Sequence, residues 1–355
     1  MNADFWKSKK VLITGHTGFK GAWLCLWLQR LGAEVTGFAL EPPTDPNLFR
    51  LAHAGRDMHS ITGDVRNQEA LVRAMQDARP EIVIHMAAQT VVRTGYDDPF
   101  GTYETNVMGT VNVLEAVRKT ESVRSVVNVT TDKCYENREW EWAYRENEAL
   151  GGFDPYSNSK ACSELVTSAY KNSFFLAREK EIGIATARAG NVLGGGDWTR
   201  DQLIPDIMRA CMEHRTVLIR SPHATRPWQF VLEPLRGYLT IAECLYDDPA
   251  RFSQAWNFGP TDDDAKPVSW IVDRLCRLWG ADAAWKLDTE VHPHEANYLK
   301  VDSSKAKAHL AWTPRMHIGQ TLEFVVEWYK SYYHRHDERE LTDMHITRYE
   351  LMEHP

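Results

Sequence analysis

Through about residue 190, short β-branched apolar runs alternate with helix-like stretches whose apolar positions recur at helical spacing. Val11–Thr14, Val35–Leu40, Met58–Thr62, Ile82–Met86, Ser125–Thr130 and Ile184–Ala189 read as strands. Ala22–Leu28, Gln68–Ala78, Thr105–Lys119 and Ser157–Ala177 read as helices between them. Such alternation predicts right-handed βαβ units and a parallel sheet, with ligands gathered at the carboxyl ends of the strands. After residue 190 the pattern loosens. Gly194-Gly195-Gly196 and Pro205, Pro222, Pro227, Pro234, Pro260 and Pro267 punctuate shorter elements, with no internal repeat and no linker. The tail from about His334 to Pro355 is charged and lacks a clear apolar face, so it reads as a surface appendage or a partner-contacting segment.

Composition narrows the setting. The chain has 355 residues and a formal net charge of −8, which argues against a nucleic-acid or anionic-membrane partner. No apolar run reaches the roughly 18 residues of a membrane span. The start, Met1-Asn2-Ala3-Asp4-Phe5-Trp6, lacks a signal-peptide core. Six cysteines without a C-x-x-C pair or clustering suit a reducing cytoplasm.

The first run, ending at Thr14, leads at once into Gly15-His16-Thr17-Gly18-Phe19-Lys20-Gly21 and then a helix. Strand, glycine turn and helix form the context of a dinucleotide fingerprint. Glycines there allow a tight turn and close backbone approach, and the helix start offers free N–H groups to a pyrophosphate. A glycine βα turn with no ligand is the plainer reading of this motif alone. Gly63-Asp64-Val65 also follows a strand, where the carboxylate suits an adenine amine or simply opens the next helix. The usual place of a ribose-binding acid holds Ala39, with Glu41 a weak substitute, so NAD and NADP both stay open.

Other strand ends carry polar chemistry. His85-Met86-Ala87-Ala88-Gln89 pairs small residues with a polar one, and Asn106 interrupts an apolar helix, where a buried amide needs partners. Thr131-Asp132-Lys133 places a hydroxyl, a carboxyl and an amine together. Tyr156 and Lys160, four residues apart, share one helix face. A cation beside the phenol favours its ionised form and turns a pKa near ~10 into a usable base. The 22 residues before Tyr156 are rich in aromatics and charge, and predict a flap or a surface loop.

With these segments in place, the chain resembles the extended short-chain dehydrogenase/reductase family over roughly residues 8–330. Gly15-x-x-Gly18-Phe19-x-Gly21, Asp64, His85-x-Ala87-Ala88, Asn106, Thr131, Tyr156-x-x-x-Lys160 and Arg188-Ala189-Gly190-Asn191-Val192-x-Gly194 carry the resemblance. Within that family it looks most like the nucleotide-sugar 4,6-dehydratases, and among these the cytidine-linked class. Thr130–Asn137, and Gly195-Gly196-Asp197-Trp198 followed by Asp201-x-Leu203-Ile204-Pro205-Asp206, point that way.

The resemblance implies a Rossmann-type doubly wound parallel sheet over residues 1–190. Residues 191–355 then form mainly a smaller α/β substrate lobe, with some chain returning to the first domain. It implies an NAD-dependent lyase acting on a nucleotide-linked hexose in deoxysugar and lipopolysaccharide synthesis. The cofactor set is Gly15, Thr17, Gly18, Phe19, Gly21, Asp64, Val65, Ala87, Ala88, Gln89 and Asn106, together with Tyr156 and Lys160. The catalytic set is Thr131, Asp132, Lys133, Tyr156 and Lys160, with Lys133 as the base at sugar carbon 5 and Asp132 as the acid. Asn191, Arg220 and Arg226 are expected at the substrate diphosphate. No metal is expected, and His292-Pro293-His294-Glu295 reads as a loop. A homodimer through a four-helix bundle of Thr105–Lys119 and Ser157–Ala177 is also implied. An inverting dehydratase of a UDP-linked amino sugar, an epimerase or reductase, and a cofactor-sensing regulator without catalysis stand as alternatives.

Overall fold

A computed structural model describes residues 2–177, 181–280, 283–289 and 298–352. Six strands fall within a residue or so of the sequence pattern: β1 Lys10–Thr14, β2 Glu34–Ala39, β3 His59–Thr62, β4 Ile82–His85, β5 Ser125–Val129 and β6 Gly183–Ala189. They continue as β7 Asn191–Leu193, β8 Val217–Ile219, β9 Thr225–Phe230, β10 Ala255–Phe258, β11 Ala265–Pro267 and β12 Trp285–Leu287. The main sheet has seven strands in the order β10-β6-β5-β4-β1-β2-β3, and each neighbouring pair is parallel. The order reverses between β1 and β4, which opens a crevice at their carboxyl ends. The glycine turn leaves β1 there. β10, from late in the chain, completes one edge of this sheet. Two smaller sheets, β11-β9-β7 and β12-β8, lie outside it.

β1, β4, β5 and β6 are buried almost throughout, as strands covered on both faces must be. The helix Phe19–Arg30 buries every residue from Gly21 to Leu28, including Trp23 and Trp27. A helix apolar all round needs cover on both sides. One side is the sheet. The other is the helix Glu338–Glu350, which overturns the reading of the tail as a surface appendage. Trp27 Nε1 donates to Glu350 at 2.7 Å, Arg30 to Thr347 at 3.0 Å, and Trp23 stacks on His345. The buried face of this helix is Thr342, His345, Ile346 and Tyr349. Those positions follow helical spacing, but their polar side chains hid it from a reading of apolar residues.

The two expected helices also differ in detail. A π-helical turn, Glu104–Met108, precedes the helix Gly109–Arg118, and another, Lys171–Phe175, follows the helix Pro155–Tyr170. π-turns of this kind accompany functional sites, and the first of them carries Asn106.

Candidate active site

The glycine turn is built for a close neighbour. Gly15 has φ +79°, and a Cβ there would lie 2.7 Å from the Ala87 nitrogen. A Cβ on Gly21 would lie 2.2 Å from the Gly15 carbonyl oxygen. Gly18 caps the helix Phe19–Arg30 without a side-chain bond, so no side chain claims the helix's first N–H groups. Thr14 Oγ1 accepts from Met86 and Ala87 backbone N–H groups at 3.2 Å each, locking the β1 and β4 ends together. Thr17 donates to the Leu40 carbonyl at 2.9 Å and ties the turn to the end of β2. The cradle suits a pyrophosphate.

At its rim, Asp64 is held by Arg66 at 2.6 Å, and that guanidinium keeps its carboxyl below the usual range. Val65 is buried beside Gly109. Glu41 accepts from Thr62 at 3.2 Å and pairs with Arg50. The Asn106 amide grips the Gln89 backbone from both sides, accepting from its N–H and donating to its carbonyl at 2.9 Å. It also donates to Ser159. Strand end and helix Pro155–Tyr170 are thereby braced through one side chain. Ala88 sits between Ala87 and the gripped Gln89 on this segment.

Beyond the end of β5, Thr131 caps a single 3-10 turn, Asp132–Cys134, and donates to Asp132 Oδ1 at 3.0 Å. Asp154 caps the helix Pro155–Tyr170, so Tyr156 enters in its first turn and Lys160 one turn later. Tyr156, Asp132 and Lys160 are all buried. Burial pushes the Tyr156 phenol up, and a hydrogen bond with Thr131 opposes that. Burial also raises Asp132, against the pull of Lys133, Thr131 and Arg226. Lys160 donates to the Val129 carbonyl at 3.1 Å; burial, then the nearby Lys20 ammonium, brings it down to about 7. Lys20 comes down to about 8, with Asp132 opposing. A carboxyl leaning toward its acid form and amines leaning toward their basic forms make a proton-transfer centre.

A separate ionic centre supports this one from below. Glu164, one turn beyond Lys160, accepts from Thr130, Thr186 and two nitrogens of Arg188 at 2.5–3.0 Å. Arg188 in turn donates to the Tyr135 hydroxyl at 2.8 Å, and Tyr135 donates to Asn257 of β10. His85 lies between Thr14 and Thr110 in another buried chain, and burial drops it to about 3, a neutral imidazole.

A cleft of about 580 Å³ opens from the Asp132 side. Asp132, Lys133, Asn191, Asp206, Arg220 and Arg226 are among the residues that line it. A Cβ on Gly190 would sit 2.7 Å from Asp132, so β7 starts directly beside the carboxyl. Arg226 donates to the Thr225 carbonyl, and its charge acts on Asp132. Arg220 pairs with Asp201 at 3.1 Å. Asn137, Arg138 and Glu139, from the aromatic segment before Tyr156, also reach the cleft. That segment is anchored by Tyr144, stacked on Tyr135 and paired with Val301. Trp142 stands exposed.

A family model for GDP-mannose 4,6 dehydratase matches residues 12–254. The chain belongs to the GDP-mannose 4,6 dehydratase family. Within this dehydratase family it is 53% identical to a Salmonella typhimurium protein named CDP-glucose 4,6-dehydratase, over 97% of this chain and 98% of that one. A Xanthomonas campestris dTDP-glucose 4,6-dehydratase is 23% identical, with coverage of 90% and 92%. Among solved structures, dTDP-glucose 4,6-dehydratase from Bacillus anthracis in complex with NAD has a TM-score of 0.76 at 20% identity, covering 91% and 97%. UDP-glucuronic acid 4-epimerase from Bacillus cereus, with UDP-glucuronic acid and NAD, has a TM-score of 0.79 at 22% identity, covering 91% and 99%.

For this member of the dehydratase family, the sequence names Arg188 only within a family segment and gives Lys20 and Glu164 no role of their own. Lys20 was seen only as a letter of the glycine motif; a charge inside an otherwise apolar helix start was its signal. Arg188 and Glu164 gave a weaker one, the latter as an acid one turn past Lys160. The His292–Glu295 loop lies outside the described residues. Among the described residues no group of three or more His, Cys, Asp or Glu gathers as metal ligands, and no helix is long and apolar enough to cross a membrane.

Proposed function

We propose that this protein removes water from CDP-D-glucose to give CDP-4-keto-6-deoxy-D-glucose, with NAD reduced and restored in each turnover. The observation that carries the reading is the convergence of Thr131, Asp132, Tyr156 and Lys160 at one strand end, beside a glycine cradle and a long cleft. The near full-length relative named CDP-glucose 4,6-dehydratase supports the substrate.

The dinucleotide fits the cradle for a physical reason: side chains on Gly15 and Gly21 would collide with backbone, and the helix end is free of any side-chain cap. Gly15, Thr17, Gly18, Phe19 and Gly21 would hold its pyrophosphate, Asp64 and Val65 its adenine, and Ala87, Ala88, Gln89 and Asn106 its sheet-edge side. When bound, NAD supplies a hydride acceptor for carbon 4 and a hydride donor for carbon 6.

The remaining chemistry falls to the chain. Tyr156 takes the proton of the sugar 4-hydroxyl, and Thr131 holds that oxygen. For this the phenol must first give up its own proton; Lys160, whose amine burial inclines to its neutral form, would accept it and return it at the end of the turnover. Asp132, raised by burial, delivers a proton to the departing 6-hydroxyl. Lys133 removes the carbon 5 proton once carbon 4 is a ketone. Asn191, Arg220 and Arg226 hold the diphosphate, so residues after 190 serve mainly as the substrate lobe, while β10 and the last helix return to the first domain.

Exposed Met108, Leu165 and Phe174 on the two expected helix regions support a homodimer through a four-helix bundle; Leu114, by contrast, turns into the core. Six free cysteines support a cytoplasmic location.

Incubation with NAD⁺ and either CDP-glucose or UDP-N-acetylglucosamine, followed by alkali, tests the assignment through the ultraviolet signature of a 4-keto sugar. Signal with CDP-glucose is expected; silence with it, or signal with the UDP sugar alone, rejects the substrate. Lys133→Ala should abolish solvent-deuterium uptake at carbon 5 while NADH formation stays detectable. Surviving uptake moves the base elsewhere.

A further inference from the structure

Across the cleft, one carboxylate oxygen receives two guanidinium groups. Asp201 Oδ1 accepts from Arg93 at 3.2 Å and from Arg220 at 3.1 Å. Arg93 belongs to the segment Val92–Asp97, just after β4, whereas Arg220 follows β8, so the carboxylate spans cleft walls from separate parts of the chain. All three residues line the cleft. Asp201 holds its place in a left-handed backbone conformation, φ 61°, which only a minority of residues adopt and which Asp and Asn tolerate best.

Two guanidinium groups converging on one oxygen in a half-enclosed cleft repel each other unless an anion sits between them. The planar fork of Arg matches phosphate oxygens as well as carboxylate. A diphosphate brings two negative charges to a place where Asp201 offers one. We infer that Arg93 is a further ligand of the substrate's outer phosphate, and that Asp201 is an internal counter-anion which the diphosphate displaces from Arg93 and Arg220. This rests on the reading of the cleft as a nucleotide-sugar site. Arg226, whose charge acts on Asp132, is a further cation of the same cleft. The phosphate that carries the sugar, the one CMP lacks, then lies between Arg220 and Arg93, with Asp201 swinging aside as it enters.

Calorimetric titration of the full chain loaded with NAD, using CDP, CMP and inorganic pyrophosphate, tests the inference. Arg93→Met should weaken CDP and pyrophosphate by roughly tenfold and leave CMP unchanged, since only the outer phosphate loses a charge-assisted partner. Asp201→Asn keeps the left-handed backbone accessible and removes the competing charge. It should tighten CDP and pyrophosphate by roughly two- to fivefold, the scale of a partly exposed ion pair. Equal weakening of CDP and CMP by Arg93→Met, as a general fold defect would give, overturns the assignment. So does an Asp201→Asn variant that binds pyrophosphate no better than the parent. If the parent protein binds pyrophosphate but not CDP, the CDP-glucose reading falls, and the two variants judge the clamp on pyrophosphate alone.

Discussion

Two buried ionic centres lie one helical turn apart on the helix Pro155–Tyr170, and they are built on opposite rules. At Glu164 the carboxylate is met by two hydroxyls and two guanidinium nitrogens, and Arg188 adds the Tyr135 hydroxyl. Around Lys160 the balance is uneven: two ammonium groups, Lys20 and Lys160, share buried space with Asp132, and burial drives all three toward neutrality. A saturated pair keeps its charges and fixes geometry. An unsaturated one holds its protons loosely and can pass them on. The first centre therefore holds the backbone of the second.

The contrast can be broken from either side. Tyr156→Phe removes the hydroxyl at the proton-transfer centre and should lower kcat by roughly 10²–10⁴-fold with the melting temperature nearly unchanged. Arg188→Met strands the Glu164 carboxylate in the interior, and should cost about 3–5 kcal/mol in chemical denaturation. Adding Glu164→Leu to it should recover much of that loss, because no unpaired charge is left. Full additivity of the two would deny that they form a unit.

A pH experiment sharpens the same comparison. Lys160 has a folded pKa of about 7, below its ordinary value of 10.5. Between those values the unfolded chain holds a proton that the folded chain does not, so stability rises with pH across that window. Below about 7 both states are protonated and the full cost of the buried charge is present. Lys160→Met should remove the rise between about pH 7 and 8 and lessen it above, seen in denaturant midpoints from pH 6 to 10. The rise that persists above about pH 8 belongs to the other lysines that burial lowers, Lys20 first, whereas a wholly unchanged slope denies Lys160 its part. At the outer end of the scale, Tyr349→Phe deprives Glu233 and Arg236 of a shared hydroxyl and should cost about 1–3 kcal/mol. Loss of the exposed Glu41–Arg50 pair should change stability by less than about 1 kcal/mol.

The parallel sheet was legible because its strands are apolar runs bounded by turns, a signal that burial on both faces makes strong. The catalytic strand ends were legible too, since polar residues after apolar runs stand out. What escaped was chemistry hidden inside helices. Glu164 and His345 occupy buried positions, and Lys20 a half-buried one, that periodicity assigns to apolar residues, and each reads as an exposed polar group until the packing is seen. The helix Glu338–Glu350 escaped for the same reason: its inward stripe is Thr342, His345, Ile346 and Tyr349. Arg93 and Asp201 lie 108 residues apart, and no local pattern joins them.

That last helix has a consequence for how the protein comes into being. Trp27, on the helix that opens the glycine cradle, bonds to Glu350, 323 residues later. On a ribosome, the outer wall of the cradle helix emerges some 323 residues after the helix it covers. Until then Trp23 and Trp27 lack their cover, and the nascent N-terminal half presents an apolar helix to solvent and chaperones. Cofactor capture should accordingly wait for the helix Glu338–Glu350, and substitutions that strip its inward face should delay it.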